Sequence, residues 1–198
     1  MAGGSPLVSV QPPEDQRGGD PPHLGRVLGD HRDRRLDPNC RPSLMGEPAT
    51  VLRRVEELVA ASDVVKVSRE DLAWLHPGRG HERVGREWLD RGAVLVVVTC
   101  GDRGAWAGTR HGEVRVDAPP VRVVDTVGAG DAFTAGLLAA LAQRDLLGVA
   151  RRAALDTADP ATIAAVLRDA ARVAAWTCGR KGADPPTRAQ LTALPVPA

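Results

Sequence analysis

The chain has 198 residues, 43% of them hydrophobic and 26% charged, with 26 Lys and Arg against 25 Asp and Glu. That length suits one ordinary globular domain with a sizeable core. The formal net charge of +1 gives no reason to expect a nucleic-acid or membrane-surface partner, and no apolar run approaches the roughly 20 residues of a membrane span.

Residues 1–35 are rich in Gly, Arg and Asp and punctuated by Pro6, Pro12, Pro13, Pro21 and Pro22. With few apolar residues and no periodicity, this segment reads as irregular or disordered. From Leu36 regular elements are expected. Residues 48–61 place Val51, Leu52, Val55, Leu58 and Val59 on one face of an amphipathic helix. Residues 64–67 read as a short strand, and 69–75 as a short helix with Ser68 as N-cap. A helix over 82–91 precedes Ala93–Thr99, a β-branched run without alternation, the pattern of a strand buried on both faces in a parallel sheet. Short strands near 104–107 and 113–116 would form a hairpin, and Val121–Val124 another strand. A helix over 129–142 carries Phe133, Leu137 and Leu141 on one stripe. Asp159-Pro160 caps and opens a helix to about Trp176. The proline-containing tail after it is expected to be irregular. Alternating strands and helices argue for a layered α/β domain with a mainly parallel sheet flanked by helices.

The three cysteines, Cys40, Cys100 and Cys178, form no CxxC pair and no zinc-type cluster. An odd count without a secretory signal fits a reducing, cytoplasmic setting.

Chemistry concentrates in Val121–Gly136, which runs strand, glycine turn, helix. The amides of Gly128, Ala129 and Gly130 would open a helix, where unpaired N–H groups and the helix dipole make an anion site. Asp131 follows in the first turn. A carboxylate beside an anion site fits phosphoryl transfer, with the amides stabilising the transferred group and the carboxylate accepting a hydroxyl proton. The plain alternative is an acidic residue that only favours the helix dipole. No Gly-Lys-Ser/Thr follows, which excludes a Walker-type loop, and the spacing is not that of a dinucleotide-binding fold.

Asp125-Thr-Val-Gly-Ala-Gly-Asp-Ala-Phe133 resembles the C-terminal signature of PfkB-type, ribokinase-like carbohydrate kinases, over nine consecutive positions. The resemblance covers about residues 36–194 and implies a ribokinase-like fold and ATP-dependent phosphorylation of a sugar hydroxyl. It makes Asp131 the base and Gly128, Ala129 and Gly130 the anion hole. Asp125 falls near the sugar and, with Val127, near a monovalent cation such as K⁺. Thr99-Cys-Gly-Asp-Arg-Gly104 resembles the strand end that lines the nucleotide, which assigns Thr99, Gly101, Asp102 and Gly104 to that wall. Lys66-Val-Ser-Arg-Glu-Asp71 resembles the Lys-x-Asn-x-x-Glu segment that supports the phosphates and Mg²⁺, with Ser68 in place of Asn and Asp71 in place of Glu. A helix cap with surface acids explains the same residues. Asp37-Pro-Asn-Cys-Arg41 resembles a stretch of fructokinases and 2-keto-3-deoxygluconate kinases, which makes Asn39 and Arg41 sugar contacts; a turn closed by Asp37 and Asn39 is the alternative. Ala174–Thr187 resembles the loop beside the adenine and cation sites, with Ala175, Cys178 and Gly182 as candidates for its wall.

Full-length relatives carry a further N-terminal half, which supplies early strands, most sugar contacts and a lid that also mediates dimers. Residues 1–35 do not resemble it, and the abrupt change at Leu36 suggests a truncated or frame-disrupted reading frame. The expected function is therefore a fructokinase-like kinase that uses ATP and a small sugar. The alternatives are a non-catalytic nucleotide-binding fragment, or ribose, a keto-deoxy acid or a nucleoside as the substrate.

Overall fold

Hydrophobic patterning and sheet pairing agree along most of the chain. The computed structural model describes residues 34–192; residues 1–33 of the segment read as irregular lie outside the described residues. A two-residue strand, β1 (Arg35–Leu36), leads through a loop and a short helix, α1 (Pro42–Met45), into α2 (Pro48–Ala60). Pro48 sits in the first turn of α2, where its missing N–H costs nothing, and Val51, Val55 and Val59 are buried at four-residue spacing. Strand β2 (Val64–Ser68), α3 (Arg69–Leu75), α4 (His81–Asp90) and β3 (Leu95–Thr99) follow. A 3-10 turn at Gly101–Arg103 then leads into the hairpin of β4 (Ala105–Thr109) and β5 (Gly112–Val116). Helices α5 (Ala129–Gln143), α6 (Arg152–Asp156), α7 (Pro160–Cys178) and α8 (Arg188–Thr192) complete the described chain.

The sheet order is β1-β2-β3-β4-β5. Pairing is parallel from β1 to β3 and antiparallel through the hairpin. In β2 and β3 successive side chains serve different layers, as the period of two demands. Val65, Val67, Val96 and Val98 pack with α2, α3 and α4, around Trp88 and Trp106. Val64, Leu95 and Val97 pack on the other face with Phe133, Leu137, Leu141, Val166 and Leu167 of α5 and α7. The unalternated run thus fills two cores at once. Each fully buried leucine or valine there contributes roughly 1.5–3 kcal/mol. No helix among the described residues is long and apolar enough to cross a membrane.

Two expectations need correction. Val121–Val124 forms no strand: its β-branched residues have no neighbouring strand, and Val121, Val123 and Val124 are exposed. The amides of Val124 and Asp125 instead donate to the Cys178 carbonyl at the end of α7, at 2.8 and 3.2 Å. The tail is also less irregular than its prolines suggest, since α8 begins after Thr187, whose hydroxyl lies 3.4 Å from the Gln190 amide that donates to it.

His76, which ends α3, is 5% exposed, and its buried Nε2 has no hydrogen-bond partner. Burial, and then nearby Arg79, push its pKa below the usual imidazole value. The folded state therefore favours neutral His76. The stability this provides is complete above the unfolded pKa of about 6.5 and is lost as pH falls toward the depressed folded value. Urea unfolding at pH 7.5 and 5.5 should show a lower midpoint at the acid pH, and His76→Gln should reduce that difference.

Candidate active site

The turn into α5 is held open for an anion by its own backbone. Gly128 caps the helix with φ 78°, a left-handed conformation that disfavours any side chain. A Cβ there would also lie 2.5 Å from the Cβ of Ala183. Ala129 donates to the Thr126 carbonyl at 3.2 Å, and Ala132 to the Gly128 carbonyl at 2.8 Å. Among the described residues the amides of Gly130 and Asp131 find no backbone acceptor. These are the orphan donors expected at a helix start, and the dipole adds to their positive potential. Asp131 is exposed beside them.

Asp125 ties this turn to the C-terminal loop. Its Oδ1 accepts from the Val127 amide at 3.0 Å and its Oδ2 from the Gly182 amide at 2.9 Å. Those backbone donors hold its carboxyl below the usual carboxylate range. Val127 gives its amide to Asp125 while its side chain stays exposed. Cys178 supplies the carbonyl described above; burial, and then Asp125, raise its thiol pKa, which disfavours the thiolate form. Ala175 lies one turn back on α7 and accepts from the Gly179 amide. Arg180 stacks over Trp176 at 3.6 Å from the ring centroid.

Lys66 projects from β2 on the α5 side of the sheet. It is 6% exposed and pairs with Asp37 Oδ2 at 3.0 Å. Beyond the strand end, Ser68 Oγ accepts from the Asp71 amide at 2.9 Å, the expected N-cap. Burial raises the Asp71 pKa, with nearby Asp37 adding to the effect and the Ser68 bond opposing it. A Ser68→Ala variant should lose about 1 kcal/mol of unfolding free energy, measured by urea denaturation.

Thr99 ends β3, level with Ser68 in the parallel register. Gly101 and Asp102 are exposed in the following turn, and Gly104 is buried against the Val116–Ala118 backbone. Asn39 is exposed with φ 44°, and the Arg41 guanidinium donates to Asn39 Oδ1 at 2.7 Å. This is a local turn, but Asp37 does not close it. Asp37 reaches across the fold to Lys66 and to Thr134, whose Oγ1 lies 3.1 Å from Asp37 Oδ2.

The structure thus brings together Gly128–Asp131, Lys66 and Asp125 with the Cys178–Gly182 loop; Asn39 and Arg41 stay on their own turn. Sequence reasoning missed Asp37, Thr134 and Ala183. Thr134 at one turn from Gly130 was the available signal for the second; nothing local pointed to Ala183.

A glycine turn and an acidic first helical turn lie beside a buried lysine on an α/β scaffold with helices on both sheet faces, and the chain belongs to the pfkB family of carbohydrate kinases, whose model matches residues 20–190. Among its relatives, a fructokinase from Rhizobium leguminosarum bv. trifolii is 44% identical over 121 residues, covering 61% of this chain and 37% of the relative. An aminoimidazole riboside kinase from Salmonella typhimurium (strain LT2) is 32% identical over 163 residues, covering 82% of this chain and 45% of the relative. A fructokinase double mutant from Vibrio cholerae O395, solved with fructose, ADP and potassium ion bound, superposes with a TM-score of 0.62 at 32% identity, covering 75% of this chain and 45% of that one. The chain therefore spans less than half the length of these relatives.

Proposed function

We propose that this chain carries the nucleotide-binding and catalytic portion of a fructokinase-like kinase, which transfers the terminal phosphoryl group of ATP to a sugar hydroxyl. The observation that carries this reading is the exposed Asp131 beside the open Gly130 and Asp131 amides, with the Lys66 ammonium close to the same turn.

Each residue has a chemical role in that reading. Asp131 accepts the proton of the sugar hydroxyl as its oxygen forms the new bond to phosphorus and the bond to ADP breaks. The Gly128–Asp131 backbone and the α5 dipole stabilise charge on the transferred group without reorganising. Lys66 adds a cation at the phosphates. Thr99, Gly101, Asp102 and Gly104 form one wall of the nucleotide site, and Ala175, Cys178 and Gly182 the other. Asp125 contacts the sugar; Asn39 and Arg41 pair with each other on their own turn, so their place as sugar contacts rests on the family resemblance alone.

A Mg²⁺ ion, when bound with the nucleotide, supplies neutralisation of phosphate charge. Asp71 fits this need as one partly buried carboxylate, because Mg²⁺ keeps most of its ligands as water and phosphate oxygens. A monovalent cation such as K⁺ would sit against Asp125, Val127 and the C-terminal loop. Both Asp125 oxygens already accept from that backbone, so the carboxylate shapes the loop as well as its charge.

The sugar is fructose on this reading, with ribose, a keto-deoxy acid or a nucleoside as alternatives, because the relatives include both a fructokinase and a riboside kinase. A second, alternative reading is nucleotide binding without turnover. ADP release in the presence of ATP, Mg²⁺ and fructose, ribose, 2-keto-3-deoxygluconate or adenosine tests both. Sugar-dependent release supports the kinase; ATP binding with no release for any sugar supports the second reading.

A further inference from the structure

Lys66 stands in a strand buried on both faces, where a cation is costly unless it is paired or used. Its ammonium carries three donors, and among the described residues one hydrogen bond is made, to Asp37. A Cβ on Gly130 would lie 3.6 Å from Lys66 Nζ, so the ammonium sits against the first turn of α5.

The same Asp37 oxygen, Oδ2, accepts from Thr134 Oγ1 at 3.1 Å. That hydroxyl lies 3.0 Å from the Gly130 carbonyl, but it has one proton, and a carboxylate is the stronger acceptor. Asp37 therefore links the loop after β1, the middle of β2 and the second turn of α5 through a single oxygen. Its other oxygen, Oδ1, is buried and has no partner. A salt bridge that served stability alone would gain by satisfying that oxygen. The arrangement instead fits a carboxylate placed to set the position of what it holds.

We propose that Asp37 is a positioning residue, which fixes the Lys66 ammonium against the start of α5 so that lysine and helix amides face the same terminal phosphate. The choice of ligand rests on the kinase reading above. Asp37 touches neither the sugar nor the transferred group in this role; it acts through Lys66 and Thr134.

The test compares ATP and AMP binding to the full chain, by calorimetry, in wild type, Asp37→Asn, Lys66→Met and the double variant. Asparagine keeps the size of the side chain and can still accept from Thr134, so the fold should survive; circular dichroism checks it. Asp37→Asn should weaken ATP by about fivefold or more and AMP by less than about twofold, the signature of a lost contact to the outer phosphates. In the Lys66→Met background the Asp37→Asn change should have no further effect on ATP. Equal losses for ATP and AMP, or additive losses in the double variant, would overturn the proposal. A second readout needs no ligand. The amide resonances of Gly130 and Asp131 should shift in Asp37→Asn, and unchanged resonances would count against the role. A wild-type chain that binds no ATP defeats the kinase reading, and Asp37 is then judged on those resonances alone.

Discussion

Asp131→Asn will reduce sugar-dependent ADP release by about a thousandfold, within the range that a positioned general base supplies. Asparagine matches the carboxylate in size but cannot take a proton. Asp131 is exposed in the first turn of α5, where asparagine fits without strain. The lost charge at the helix start costs only about 0.3–1 kcal/mol of stability. ATP affinity should therefore stay within about twofold of wild type while turnover falls, since binding at the amides does not need the base. A coupled ADP assay beside calorimetric ATP binding separates the two quantities. Wild-type turnover in the variant would remove Asp131 from the role of base.

Gly104→Ala will have the largest effect on folding. Gly104 has φ 78°, and a Cβ there would lie 2.0 Å from the Val116 carbonyl oxygen and 2.7 Å from the Ala118 amide nitrogen. These are backbone atoms, and Val116 is held in register with Ala105 across the hairpin. The hairpin cannot give way without breaking its pairing with β3, so a loss of at least about 3 kcal/mol is expected, a large share of a domain's stability. Gly101, three residues earlier, has φ 60°, but a Cβ added there would meet no atom within 4 Å. Gly101→Ala should cost only the left-handed backbone strain, about 1–2 kcal/mol. Thermal unfolding followed by circular dichroism distinguishes these outcomes: a clear transition for Gly101→Ala, and a greatly lowered or absent one for Gly104→Ala.

Much of the architecture was legible because local and global preferences coincide. The four-residue spacing of Val51, Val55 and Val59 and the Asp159-Pro160 start give helices wherever they occur, and the structure has both. Ser68 was legible as a cap for the same reason. Val121–Val124 misled because β propensity describes how a residue fits a pleated surface, and that segment has no strand beside it. The two-residue β1 is too short to carry a period at all. Within the site, the Gly128–Asp131 turn was readable from contiguous residues, since one helix start builds it. The Asp37 link was not: the sequence presents Asp37 beside Asn39 as an ordinary turn, and only the sheet brings it to Lys66 and Thr134.

Those links have a consequence for the order in which the molecule assembles. Lys66 and Asp37 are 29 residues apart, Asp125 and Gly182 are 57 apart, and Thr134 and Asp37 are 97 apart. The β4–β5 hairpin, by contrast, closes over a turn between Thr109 and Gly112. Loop-closure entropy must be overcome before distant contacts return any free energy, and the cost rises with separation. The hairpin and individual helices can therefore form while Asp37, Lys66, Asp125 and Thr134 are still far apart along an unordered chain. The arrangement of Asp37, Lys66, Thr134 and Asp125 is thus expected to form late in folding and to be lost early on local opening, which hydrogen exchange at the Gly130 and Gly182 amides would check.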